Sequence, residues 1–131
     1  MVVYAVFRVT LLSKTTVEVD FMKQYYRLDF YVPASQLSLV RNAVLDAGAG
    51  RLGHYTHCAW ETAGRTQKMV PGVFGAPGSV IASDEVKVEV IVAEDLLQNA
   101  VNALLEKHPA EQPFFCYYPV GIMFPPDDDV E

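Results

Sequence analysis

The sequence predicts an α+β sandwich of a single small domain, with its elements in the order β-α-β-β-α-β. Three observations point there. Apolar and polar residues alternate over 25–32 and 86–92, apolar residues recur at helical spacing over 34–47 and 94–107, and Gly/Pro clusters separate these segments.

The first strand is Tyr25 to Val32, where Tyr26, Leu28, Phe30 and Val32 share one face and Arg27, Asp29 and Tyr31 the other, and Pro33 stops it. A helix follows over Ala34 to Ala47. Leu37, Val40, Val44 and Ala47 form its apolar stripe, Ser35 is placed as N-cap and Gly48 as the C′ residue. Bulky and β-branched residues from His54 to Trp60 predict the second strand. Residues 61 to 84, with six Gly or Pro, read as a long hairpin connection containing short extended pieces. The third strand is the clearest, because Val86, Val88, Val90 and Val92 define one wholly apolar face. Glu94 to Lys107 is the second helix, with acids at its positive end and Lys107 at its negative end, and Pro109 closes it. Phe114 to Val120 is the fourth strand.

This order is the split βαβ pair whose usual solution is a ferredoxin-like sandwich, a four-stranded antiparallel sheet with two helices on one face. The other face is then bare. It would carry Tyr31, Ile91 and either Phe115 and Tyr117 or Phe114 and Tyr118, a mixed, aromatic-bearing surface that predicts association, most simply with copies of the same chain.

Composition narrows the function classes. With 131 residues, 51% hydrophobic and 20% charged, the chain can bury a core without staples and is not disordered. Its formal charge is −6, but the last five residues, Asp127 to Glu131, hold most of it and residues 1 to 21 sum to zero. A near-neutral body with an acidic tail has no basic stripe for nucleic acid and none for anionic membranes. No apolar run reaches the ~20 residues of a membrane span, and the N-terminus lacks the pattern of a secretory signal. Cys58 and Cys116 read as reduced thiols, so cytoplasmic residence is the expectation.

Gly48-Ala49-Gly50-Arg51-Leu52-Gly53 matches G-x-G-x-x-G in reversed context, after a helix and before a strand, so a dinucleotide fold is excluded. Backbone N–H groups of that turn, with Arg51 beside them, form a candidate anion cradle. His54, His57 and Cys58 have ligand-capable atoms, but strand alternation would put His57 opposite the other two, leaving a metal site only across an oligomer interface. His108-Pro109-Ala110-Glu111-Gln112-Pro113 is a rigid stop and re-entry in which His108 and Glu111 are candidate ligand contacts. No catalytic constellation occurs and no cofactor is indicated.

Taken together, Phe30-Tyr31-Val32-Pro33, Ala47-Gly48-Ala49-Gly50-Arg51-Leu52-Gly53-His54-Tyr55-Thr56-His57-Cys58, His108-Pro109 with Glu111 and Pro113, and Tyr118-Pro119 resemble the CutA-like, PII-like domain of the YqfO family. The similarity runs from about Met22 to Val120. Ala110 stands where that family usually has Tyr, Gln112 where it often has Glu, and the hairpin loop is shorter. The resemblance implies a non-enzymatic, trimeric PII/CutA-like module that turns its open sheet faces toward the threefold axis. It implies a small anionic metabolite or a protein partner at inter-subunit clefts, met by Gly50, Arg51, His57, Cys58, His108 and Glu111 with Arg65 and Lys68. The alternative it offers is copper or zinc handling, as in CutA, through His54, His57 and Cys58. Residues 1 to 21 match nothing in the family and are expected to be an optional extension before an original start at Met22, adding an edge strand. Residues 121 to 131 are expected to be a disordered acidic tail.

Overall fold

The computed structural model describes residues 6–10 and 16–20 as backbone and 23–123 in full. Strands β1 (Val6–Thr10) and β2 (Thr16–Asp20) pair antiparallel with each other in a two-stranded sheet, rather than adding an edge to the main one. The main sheet holds β3 (Tyr25–Pro33), β4 (Trp60–Val70), β5 (Ser79–Ala93) and β6 (Phe115–Val120) in the order β4-β5-β3-β6, all antiparallel. Helices α1 (Leu37–Asp46) and α2 (Glu94–Lys107) supply the two crossovers. This is the predicted four-stranded sandwich. The tail from residue 124 lies outside the described residues.

The core is built by the register of the two central strands. Tyr26 pairs with Val92, Leu28 with Val90, Phe30 with Val88 and Val32 with Val86. Because side chains alternate along a strand, this register sends every apolar partner to the same side. There Leu28, Phe30, Val32 and Val88 are fully buried against Val40, Val44 and Leu45 of α1 and Ala100 and Leu104 of α2. The Arg41 guanidinium on α1 bonds the Glu61 carboxylate at 2.7 Å and ties that helix to the edge strand. The first free N–H of α2, on Glu94, donates to the Gln24 carbonyl at 2.9 Å, so the helix start is fixed to the start of β3.

The C-terminal signal of α1 holds and its N-terminal one fails. Gly48 takes the C′ position with φ +118°, its N–H on the Leu45 carbonyl, as its lack of a Cβ permits. Ser35 is not the N-cap. A 3-10 turn over Ala34–Gln36 follows Pro33, α1 begins after Gln36, and no side chain caps it.

The larger correction concerns the second strand. Residues 54 to 59 form a loop with one isolated bridge, Leu52 to Tyr55, and the strand runs from Trp60 to Val70 instead. Its partner begins at Ser79, so the connection is only Pro71 to Gly78 and the predicted third strand is the inner half of β5. Every residue of β4 except Thr66 is exposed, so no burial alternation exists to be read, and the strand is specified by its pairing with β5. Past the Pro33–Glu85 pair, β3 ends and the outer halves of β4 and β5 project as a two-stranded arm.

Both helices lie on one side, and no helix among the described residues packs on the other face of the sheet. Of the two alternatives for β6, Tyr118 is on that face, paired with Arg27, while Tyr117 stands edge-on to Tyr26 at 5.8 Å on the helix side. Phe114 joins the open face, its ring 5.5 Å from Tyr31. The centre of the face is charged rather than apolar, holding Arg27, Asp29, Lys87 and Glu89. No helix among the described residues is long and apolar enough to cross a membrane.

Phe30 sits at the middle of the core with no exposed surface. Phe30→Ala is expected to lower stability by about 3–5 kcal/mol in urea denaturation, the range for deleting a buried ring. A loss below 1 kcal/mol would mean that this register does not organise the core.

Candidate functional site

The Gly-rich turn after α1 is a structural hinge. Gly50 has φ +81°, and a Cβ there would lie 2.6 Å from the Cys58 carbonyl oxygen and 2.7 Å from the Leu45 side chain. The Gly50 N–H donates to the Ile91 carbonyl at 2.7 Å, and the Cys58 N–H returns to the Gly50 carbonyl at 2.9 Å, closing the 50–58 loop and pinning it to β5. The N–H groups of Gly48, Ala49 and Leu52 also donate within the fold. The anion cradle expected there therefore has most of its donors already engaged, and Arg51 projects as an exposed cation.

His57, at φ +58°, is exposed, with Nε2 3.0 Å from Asp46 Oδ1 and Nδ1 3.1 Å from Thr56 Oγ1. His54 is exposed in the same loop. Cys58 Sγ faces the Thr56 carbonyl at 3.8 Å and lines a hollow of about 260 Å³ with Arg27, Trp60, Glu89 and Ile91. Among the described residues no group of three or more His, Cys, Asp or Glu side chains is placed to hold a metal ion. Because 54–59 is not a strand, the alternation argument for these residues does not apply.

His108 is buried at the corner between α2 and β6. Its Nδ1 accepts from the Ala110 N–H at 3.0 Å and its Nε2 lies 2.6 Å from the Tyr31 carbonyl. An amide can only donate and a carbonyl can only accept, so the ring is the neutral Nε2–H tautomer with both nitrogens in use. His108 thus clamps the α2–β6 turn onto β3. Beside it lies a concavity of about 530 Å³, between that turn and the projecting arm. Tyr31 and Phe114 supply its aromatic wall, Lys68, Thr66 and Glu85 the arm side, and Gln112 the turn. Lys68 and His108 of the expected set meet here. Glu111 is exposed in the same turn and is not on the groove lining. Arg65 lines a smaller hollow, about 130 Å³, with Thr62, Glu85 and Lys87.

On the open face, Glu89 holds Arg27 at 2.6 Å and Lys87 at 3.0 Å. The hydrogen bond from Lys87, with Arg27 in support, holds the Glu89 carboxyl below its ordinary range. Asp29, directly across from Glu89, goes the other way. Burial pushes its carboxyl up and the Glu89 charge adds to the rise, against the pull of Lys87, Arg27 and the Tyr118 hydroxyl.

The expected ligand residues fall into two sets. Gly50, Arg51, His57 and Cys58 are held at the Ile91 end of β5, while His108, Glu111 and Lys68 flank its Glu85 end. Six residues of strand separate them, about 20 Å at the rise of an extended chain. They do not converge within one protomer. Sequence reasoning named Tyr31, Phe114 and Gln112 without bringing them together with Thr66 and Glu85, because residues 61 to 84 read as a connection rather than a paired arm, and it missed the burial of Asp29 because alternation alone gives a face, not a depth.

No protein-family model matches the chain. It is 33% identical over 117 residues to the GTP cyclohydrolase 1 type 2 homolog of Halalkalibacterium halodurans, covering 86% of this chain and 30% of that protein. The chain thus spans about a third or less of the length of the curated relatives it matches. Among solved structures, a Bacillus cereus protein related to NIF3 superposes with TM-score 0.69 and 26% identity, over 77% of this chain and 26% of that one. CutA1 of a psychrotrophic Shewanella (TM-score 0.54, 14% identity, 73% of this chain and 80% of that one) shares the fold. So does the Bacillus subtilis GlnK–ATP complex (TM-score 0.53, 7% identity, 74% and 83%).

Two substitutions check the roles assigned to Gly50 and His108. His108→Ala leaves a carbonyl and an amide without partners and is expected to cost about 2–3 kcal/mol by urea denaturation. Gly50→Ala forces a Cβ against the Cys58 carbonyl at a left-handed φ and is expected to cost about 1–3 kcal/mol. Stability equal to the parent in either variant would remove the structural role given to that residue.

Proposed function

We propose that the chain corresponds to the module that forms one segment of the NIF3-related proteins, and that it works as a non-enzymatic, trimeric binding module. One observation carries this reading: a four-stranded sheet has both helices on one face and packs no described helix on the other, with interface-type aromatics, Trp60, Phe114 and Tyr118, around it. A ring of copies covers that face and at the same time solves the separation of the two residue sets. Head-to-tail packing brings the 50–58 loop of one copy, with Arg51 and His57, toward the groove of the next, with Lys68 and Glu111.

The groove suits a planar, anionic ligand. Tyr31 and Phe114 offer a stacking wall, Lys68 a cation, and Thr66 and Gln112 polar contacts. An adenine nucleotide is the probe of choice, since the GlnK fold neighbour was solved with ATP. The matched relatives are named as cyclohydrolase homologs, but the match covers under a third of their length, so that activity is not carried over.

Light scattering is expected to give three times the 14.5 kDa chain mass. Calorimetry with ATP is expected to show binding at micromolar to millimolar ligand, weakened roughly tenfold by Lys68→Ala, the size of one lost charge-assisted contact. A monomer at all concentrations overturns the assembly reading, and absence of heat at millimolar nucleotide overturns the ligand class.

A further inference from the structure

The end of the projecting arm displays apolar side chains to solvent. Met69, Val70, Val73, Phe74, Val80 and Ile81 are all exposed, and no charged residue occurs over 69–83. Lys68 pairs with Ile81, Met69 with Val80 and Val70 with Ser79. Alternation along the strands then puts Met69 and Val80 on one face of the arm and Val70 and Ile81 on the other, so its end is apolar all round rather than on one side.

The turn that closes the arm holds Phe74 outward at a conformational cost. The Ala76 N–H donates to the Val73 carbonyl at 3.0 Å, and both residues between them have positive φ, +52° at Phe74 and +77° at Gly75, the signs of a type I′ turn. Gly, Asn or Asp ordinarily fills the position of Phe74, because a bulky side chain is strained there. A Cβ on Gly78 would lie 2.6 Å from the Val70 carbonyl oxygen and one on Gly72 would collide with the Ala76 carbonyl, so the chain packs tightly at the base of the turn while the Phe74 ring stands clear. A strained residue in full contact with water stabilises nothing within the described protomer, and it points to an apolar medium outside it.

We propose that the tip of the arm is a membrane-contact element, in which Val73 and Phe74 lead the apolar end into the interface of a bilayer whose anionic headgroups are met by Lys68 and Arg65. Charge selects the surface. Over 62–83 the only charged residues are Arg65 and Lys68, both cations, and Lys68 lies two residues, about 7 Å of strand, behind the end of β4 at Val70. The net charge of −6 averages over this segment, and screening at physiological salt confines each charge to roughly 8 Å, so the arm meets an anionic surface as a cation. Shape selects lipid over protein. Side chains that are apolar on both faces and at the end suit a medium that surrounds them, whereas a protein groove would cover one face, and a second arm would set like charges side by side. Because a two-stranded arm has backbone edges that need water, the contact is interfacial and does not span. The inference stands on the arm alone and does not depend on the assembly or nucleotide readings above.

Flotation of the full chain with vesicles of equal phosphatidylcholine and phosphatidylglycerol, beside vesicles of phosphatidylcholine alone, tests it with Phe74→Ser and Phe74→Gly. Lys68 also lines the groove and is left in place. The parent is expected to float with the anionic vesicles, less with the neutral ones and less in high salt, and both variants to bind roughly tenfold more weakly or worse, as loss of a buried ring implies. A parent that floats with neither mixture, or variants that bind as the parent does, overturns the inference while leaving the trimer and the groove untouched, since neither uses Phe74. Equal flotation with both mixtures overturns the choice of an anionic surface. A smaller solution mass for Phe74→Ser than for the parent, without lipid, assigns the tip to a second copy and overturns the lipid reading. Should the variants not fold, amide hydrogen exchange of the parent decides. Exchange over 71–78 that slows with anionic vesicles supports the proposal, and an unchanged rate overturns it.

Discussion

The register between β3 and β5 is the constraint on which everything else depends. Nine consecutive pairs, from Tyr25 with Ala93 to Pro33 with Glu85, fix which side chains face the helices and which face away. A slip of one residue would exchange Leu28, Phe30 and Val32 for Arg27, Asp29 and Tyr31 in the core, an exchange no packing could compensate. The same pairing that buries the valines sets Asp29 against Glu89 on the opposite face. Stability and the chemistry of the open face are thus two readings of one alignment.

That alignment was visible in the amino-acid order because its residues obey a period of two with chemically opposite faces. The helices were visible for the parallel reason at a period of 3.6. What escaped was everything whose position comes from pairing or depth rather than pattern. Strand β4 is exposed on both faces, so Glu61 to Val70 carries no alternation, and its length is dictated by hydrogen bonds to β5. The loop from Arg51 to Ala59 contains the bulky residues a strand would want, yet Gly50 and His57 both have positive φ and turn the chain away.

The candidate site was legible as a list and not as a place. His108 stood out as a candidate contact, but both of its ring nitrogens are committed to backbone groups, which makes it an architectural residue at the edge of a groove. Lys68 was named for its charge, and it gains meaning only because the arm carries it opposite Phe114. Glu111, Arg51 and His57 are exposed and do not converge on one site within the described residues of the protomer.

The arm itself has an implication for how such chains diverge. Beyond the Pro33–Glu85 pair its two strands bond only to each other, and its turn is a Pro/Gly run from Pro71 to Gly78. Residue pairs can be inserted or deleted near its tip with little disturbance to the buried valines. An odd-numbered change in one strand would need a bulge to absorb it, or would invert Thr66 and Lys68 relative to the sheet. The arm is thus a part whose reach natural variation can tune in steps of two while the body stays fixed.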